Sequence, residues 1–258
     1  EDLLGFQLIR RTTREVSLTA AGEIFHERTR LMGKEILSAV DAARIAAEGK
    51  AGSLRIGYMS FAAIETMPRV VREFTRRYPD VELDLQYIRT QGQKIELSRN
   101  RIDVGFLLGP FSHPQFESRA LVSEPPVAIL SADHRLATRQ SVSLADIARY
   151  PFVLGNTREW DFFRLFVDDM FSRDGYAFNI KYEASNALGI LGLVSSGLGI
   201  SIYSQSIKRF QPRTILTKEI SDCEATISTL LAWNRAYKTP ALMNFVEVAE
   251  ELYPGISG

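Results

Sequence analysis

Three histidines, one cysteine and several hydroxyl residues at the starts of predicted helices are the groups in this 258-residue chain suited to chemistry. His26, His113 and His134 fall in three separate regions, so no two are spaced to share a proton or a metal ion. Each reads as a surface or capping histidine before it reads as a base or a ligand. No H-E-x-x-H, G-x-S-x-G or P-loop spacing occurs. Cys223 follows Ser221 and Asp222 in a polar turn without a paired base. As the sole cysteine it rules out an intrachain disulfide and argues against a thiolate metal cluster. Gly197-Leu198-Gly199 lacks the third glycine of a dinucleotide loop and reads as a tight helix-to-strand turn. Neither a catalytic residue, a metal site nor a cofactor is therefore expected, and the chain is not expected to be an enzyme.

Binding chemistry is better represented. Ser60-Phe61-Ala62-Ala63 joins a predicted strand to a helix, where free amides favour an anion. Arg89-Thr90-Gln91-Gly92-Gln93 occupies the same position after the next strand. Asn156-Thr157-Arg158 leads into a helix around Trp160, and Ser201 to Ser206, with Tyr203 and Ser204, follows the Gly197-Leu198-Gly199 turn. Taken singly, each is equally an ordinary helix cap. Taken together they suit a small-ligand site with Phe61 and Tyr203 as apolar walls and Arg158 as a carboxylate partner.

These segments need a scaffold that brings them together. The patterning predicts strands at 54–59, 81–88 and 102–107 with helices at 68–78 and 91–99 between them, an order that implies a parallel sheet. Strands at 117–122 and 127–131 follow. The chain turns polar around Ala132 to Arg139, the expected crossing into a second α/β lobe. That lobe has helices at 144–149, 160–172 and 187–196 and strands at 152–154, 179–183, 199–203 and 214–218. A strand at 226–233 and a helix at Pro240 to Leu252 close the chain. Crossing and returning leaves a cleft between lobes, lined by strand C-terminal ends and helix N-termini.

Ahead of this body lies a long helix, Thr19 to about Lys50, capped by Thr19 and stopped by Gly49 and Gly52. Gly22, Thr29, Ile36 and Ala43 interleave with Phe25, Met32, Ala39 and Ala46 along one seam. The seam fits a contact with a second copy of the chain, through Phe25, Met32, Ile36, Ala39 and Ala43, or an amphipathic cover helix. Before it, Gln7 to Arg10 and Val16 to Thr19 predict a hairpin with a cationic tip. That hairpin is a solvated turn or a wing whose Arg10, Arg11 and Arg14 reach DNA backbone phosphates.

Lys and Arg (31) balance Asp and Glu (31), so no overall field points to nucleic acid or membrane, which leaves room for a small local DNA contact. No apolar run reaches membrane-spanning length and no export signal is present, so a cytoplasmic setting is expected. The opening Glu1-Asp2-Leu3 has the look of mid-element residues, and a preceding segment is expected.

Leu8-Ile9-Arg10-Arg11-Thr12 followed by Val16-Ser17-Leu18-Thr19-Ala20-Ala21-Gly22 resembles the wing and linker helix of bacterial LysR-type transcriptional regulators. Leu54-Arg55-Ile56-Gly57-Tyr58, Ile102-Asp103-Val104-Gly105-Phe106 and Gly197-Leu198-Gly199-Ile200-Ser201 match later landmarks of that family. The resemblance implies an α/β chain: a partial winged helix-turn-helix (1–19), a linker and dimerisation helix (20–50), and a two-lobed regulatory domain like a type 2 periplasmic binding protein. Lobe 1 would span 53–131 and 224–258, and lobe 2 132–223. It further implies a homodimer or homotetramer on promoter DNA and a small effector, such as an organic or aromatic acid, between the lobes. Ser60, Phe61, Ala62, Thr90, Gln91, Asn156, Tyr203 and Ser204 are the expected effector contacts. Phe61 departs from the small hydroxyl residue often found at its position, and Ser204 from a common proline.

A transporter's solute-binding protein is the alternative. It accounts for two lobes but not for the long seam or the cationic hairpin. By the resemblance, the recognition helix that reads the major groove belongs before Glu1. A chain of this extent is expected to bind DNA weakly and without sequence preference; a gel-shift titration showing tight, selective binding would contradict this.

Overall fold

Thr19 starts the long helix, as its side chain predicts. The computed structural model describes residues 1–11 and 16–254 and falls into two units, Glu1–Lys50 and Ala51–Gly258. In the first unit β1 (Ile9–Arg11) pairs antiparallel with β2 (Val16–Leu18), and α1 spans Ala20–Ala47. The Thr19 hydroxyl accepts from the Gly22 amide at 3.0 Å and donates to the Gln7 carbonyl at 2.7 Å, so one side chain caps the helix and ties it to the hairpin. A Cβ on Gly22 would sit 2.0 Å from the Leu8 carbonyl oxygen. Gly22 therefore belongs to this junction and not to the apolar seam. At the other end Gly49 adopts φ +69°, and the Gly49 and Lys50 amides donate to the Ala46 and Ile45 carbonyls, the two-bond glycine stop. Phe25, Met32, Ile36, Ala39 and Ala43 are all exposed. So are Ile24, Leu37, Val40 and Ile45, which makes the apolar surface of α1 wider than one seam. Arg14 lies outside the described residues; Arg10 and Arg11 are exposed.

The second unit continues β3 (Ala51–Tyr58), α2 (Ser60–Ile64), α3 (Thr66–Arg77), β4 (Asp80–Tyr87), α4 (Thr90–Ser98), β5 (Val104–Leu108), β6 (Phe116–Glu124), β7 (Pro126–Ser131) and β8 (Ser141–Val142). Then come α5 (Leu144–Ala148), β9 (Pro151–Gly155), α6 (Thr157–Ser172), β10 (Asn179–Ala184), α7 (Ala187–Ser195), β11 (Ser201–Ser204) and a 3-10 turn at Gln205–Arg209. β12 (Ile215–Ile220), β13 (Ile227–Asn234) and α8 (Pro240–Leu252) complete it. One sheet has the order β4-β3-β5-β13-β6, with β3, β4 and β5 parallel and β13 antiparallel to both its neighbours. The other has the order β11-β7-β12-β8, and β9 and β10 form a parallel pair beside it.

β7 corrects the expected crossing. It lies inside the second sheet, between β11 and β12, so the chain crosses at Glu124–Pro126 and not near Ala132. The reason is local: Pro125-Pro126 breaks β6, while the polar stretch after Ala132 is a surface turn beyond a fully buried strand. The chain returns to the first sheet between Ile220 and Ile227. The segment Ser60-Phe61-Ala62, expected as a loop, forms the short helix α2.

The landmark glycines position α4. Gln93 at its first turn is fully buried, and its Nε2 donates to the Ile88 carbonyl at 2.7 Å and the Phe106 carbonyl at 3.0 Å. A Cβ on Gly105 would lie 2.4 Å from Gln93 Oε1, and one on Gly57 would lie 3.2 Å from the same side chain. The two strands thus leave a slot for one glutamine. Next to it Asp103 accepts from the Arg55 amide (2.7 Å) and from its guanidinium (2.7 and 3.1 Å), locking β3 to the start of β5. Gly105→Ala should expel the Gln93 side chain, orphan two buried carbonyls and cost about 2–4 kcal/mol. Urea denaturation measures this; an unchanged midpoint would mean the slot is not required.

Candidate functional site

β3 ends at Tyr58, and the chain turns at Met59, whose sulfur accepts from the Phe61 amide at 3.2 Å. This turn aims Phe61 away from its own sheet. Its ring lies 4.6 Å from Tyr203 at the end of β11, 4.7 Å from Phe163 on α6 and 5.8 Å from Trp160, centroid to centroid. Phe61 is only 5 % exposed. Trp160 is set by Gly155 below it, where a Cβ would lie 2.0 Å from the indole, and its Nε1 donates to the Ser185 carbonyl at 3.0 Å. Its own backbone leaves helical geometry (φ −124°), which turns the indole under the first turn of α6.

Two spaces meet at Ser60 and Tyr87, and only one of them borders Phe61. On one side is a cavity of about 30 Å³ bordered by Ser60, Phe61, Arg89, Thr90, Leu108 and the 159–163 turn, room for about two waters. Thr90 contributes its hydroxyl oxygen, which accepts from the Leu108 amide at 3.2 Å. The Arg89 guanidinium donates across the gap to the Arg158 backbone carbonyl. On the other side is an open groove of about 470 Å³ bordered by Tyr58, Ile64, Tyr87, Leu188, Leu191, Tyr203 and Phe210. Ser60 and Tyr87 border both, and their hydroxyls lie 2.9 Å apart. The Tyr203 hydroxyl is buried without a well-formed hydrogen bond, and burial pushes its ionisation well above the ordinary tyrosine range. At the rim beyond Phe210, Glu65 holds Arg209 at 3.0 Å and Arg69 at 3.7 Å.

Ser60, Phe61, Thr90 and Tyr203 are thus brought together, whereas four expected contacts border neither space. Ala62 is buried within α2, and Gln91 is exposed on α4. Asn156 spends its side-chain oxygen on the Glu159 amide (2.9 Å) as a helix cap. Ser204 turns toward Ser206 (2.8 Å) and Glu124, whose carboxyl burial holds above its usual range against those hydroxyls. Arg158, the expected carboxylate partner, offers its carbonyl inward while its side chain is 88 % exposed. Trp160 and Phe163 were legible only as helix core. The bend at Trp160 and the bare Gly155 beneath it make them site residues, and only the glycine is a sequence signal.

The remaining reactive groups stand apart from this region. His113 Nδ1 accepts from the Gln115 amide. His134 Nδ1 accepts from the Leu136 amide, its ring packs on Tyr150, and burial lowers its basicity. Burial likewise pushes the Cys223 thiol pKa up, away from the reactive thiolate. Among the described residues no group of His, Cys, Asp and Glu is arranged for a metal ion, and no helix is long and apolar enough to cross a membrane.

Residues 47–253 match the family model of the LysR substrate binding domain. The chain belongs to the LysR family. It is 35 % identical to the HTH-type transcriptional regulator YnfL of Escherichia coli, over 95 % of this chain and 83 % of that one. It is 28 % identical to AlsR of Bacillus subtilis, over 96 % and 82 %. Among solved structures it is similar to CbnR, a LysR family regulator (TM-score 0.81, 24 % identity, 96 % of this chain and 86 % of that one). It also resembles the BenM effector binding domain with its effector benzoate (TM-score 0.71, 23 % identity, 79 % and 92 %). This LysR chain is a ligand-responsive transcriptional regulator and not the solute-binding protein of a transport system. Its relatives are named as regulators, not enzymes.

Within it, Phe61 is the aromatic side chain that packs across from one sheet's elements to the other's. Phe61→Ala should lower unfolding stability by about 3–5 kcal/mol, the usual cost of emptying a packed aromatic site. Chemical denaturation checks this; a loss below 1 kcal/mol would mean that the ring does not carry the contact.

Proposed function

We propose that a small effector binds between two lobes built on the two sheets and biases how firmly they close. The carrying observation is that Phe61, from the end of β3, is packed into an aromatic cluster supplied by the other sheet's elements, with a small cavity against it and an open groove beyond Ser60 and Tyr87. A ligand in that space touches both lobes at once, so its affinity depends on their arrangement, which is what a shift in population requires. Ser60, Phe61, Thr90 and Tyr203 are the effector-site residues in this reading. BenM's benzoate lends support to a ring-sized effector.

The exposed apolar surface of α1 is proposed to pair with a second copy through Phe25, Met32, Ile36, Ala39 and Ala43, as a homodimer or within a homotetramer. Arg10 and Arg11 on β1 would then meet DNA phosphates, contacts that position without reading sequence. The protein would act in the cytoplasm and without catalysis, as its relatives named as regulators suggest.

Sedimentation velocity tests the pairing: a dimer or larger for the native chain, and a shift toward monomer for Ile36→Glu. A monomeric native chain would remove the pairing. The effector reading is tested by thermal shift against ring-sized compounds, where a ligand at 100 times its Kd stabilises by about 2.7 kcal/mol.

A further inference from the structure

Of the two spaces, the one that borders Phe61 is small. About 30 Å³ holds a pair of waters, far below the roughly 300 Å³ at which ligand pockets begin. A ring-sized molecule enters there only by driving Phe61 out from between Tyr203 and Phe163. The open groove offers about 470 Å³.

Its chemistry is distinctive. The side chains around it are Tyr58, Ile64, Leu188, Leu191, Ile207 and Phe210, with Ser60, Tyr87, Tyr203 and Asn186 as the polar ones, and none is charged. Lys208 and Arg209, adjacent in sequence to its wall, are paired with Glu219 and Glu65, and the Arg89 guanidinium donates to the Arg158 carbonyl. No side chain that borders the groove offers a carboxylate a cation. The polar groups suit a neutral oxygen instead. Ser60 and Tyr87 share one hydrogen bond between two hydroxyls, so one proton is left to donate. Leu188 (82 % exposed) and Phe210 (65 % exposed) flank the groove as bare apolar surface, the mark of a binding site when contiguous with a pocket.

We propose that the effector site is this hydroxyl-floored groove between α7 and the Ser60–Tyr87 pair, and that it takes an uncharged, ring-sized molecule carrying an oxygen that accepts a hydrogen bond. The proposal rests on the effector reading above and narrows it: the ligand seats in the open groove, not in the cavity at Phe61, and is not an acid. Phe61 then sets specificity by closing the smaller cavity to rings.

Ligand-observed NMR titration with benzyl alcohol, benzoate and benzylammonium, three charge states on one ring, tests it. Benzyl alcohol should bind the native chain at least tenfold more tightly than either ion. Leu188→Lys, a change at a solvent-facing position, should weaken benzyl alcohol tenfold or more, whereas Arg89→Gln in the smaller cavity should change it less than twofold. Tighter binding of benzoate that is lost in Arg89→Gln would overturn the groove while leaving an effector between the lobes. Failure of all three probes to bind the native chain would overturn both.

Discussion

The contact on which the rest of this structure depends is the Phe61 ring seated against Tyr203 and Phe163. Burying a phenylalanine side chain contributes roughly 1.5–3 kcal/mol, and each well-oriented aromatic neighbour adds about 0.5–1.5 kcal/mol. The polar links across the same gap are weaker. The Arg209–Glu65 pair is exposed on the arginine side, and exposed pairs contribute about 0–1 kcal/mol. Arg89 makes one hydrogen bond to a carbonyl, worth about 1.5–3 kcal/mol for a charged donor. The aromatic contact therefore dominates, and the ionic links serve to fix orientation.

That contact exists only because backbone elsewhere is spare. Gly155 leaves the space that the Trp160 indole occupies, and Gly57 and Gly105 leave the slot for Gln93 that pins α4 and hence Thr90. Each is a close approach that a methyl group would block. The same holds in the first unit, where Gly22 lets α1 start against the Leu8 carbonyl. The family landmarks around Gly57 and Gly105 thus have a mechanical cause, with the Arg55–Asp103 pair as its electrostatic half.

Much of the architecture was legible in the sequence. Thr19 and Gly49 mark α1 by capping chemistry, and apolar periodicity places β3, α3, β4 and α4 within a few residues. Sheet membership was less so: β7 reads the same whichever sheet it joins, and only Pro125-Pro126 hints at the crossing. The site was half legible. Strand-end rules find Ser60, Phe61 and Thr90, because position alone sends them to the gap. They also select Asn156 and Ser204, since a hydroxyl or amide at a helix start has the same signature whether it caps the helix or faces a ligand. Whether a side chain turns inward or back onto its own backbone is decided by packing, which periodicity does not encode.

If the effector binds between the lobes, the packing of Phe61 against Tyr203 and Phe163 constrains how it can act. A molecule that displaced the ring would have to replace its buried contacts before adding any net preference for closure. One seated in the groove leaves those contacts in place and adds its own, so its whole differential affinity goes into the shift. If the open arrangement separates Ser60 and Tyr87 from α7, a groove ligand touches both walls only when closed. A ligand with a tenfold preference for that state moves the equilibrium by about 1.4 kcal/mol, enough to change the minority population by an order of magnitude. A cleft plugged by its own side chain is thus compatible with sensitive control, provided that the control site is the one left open.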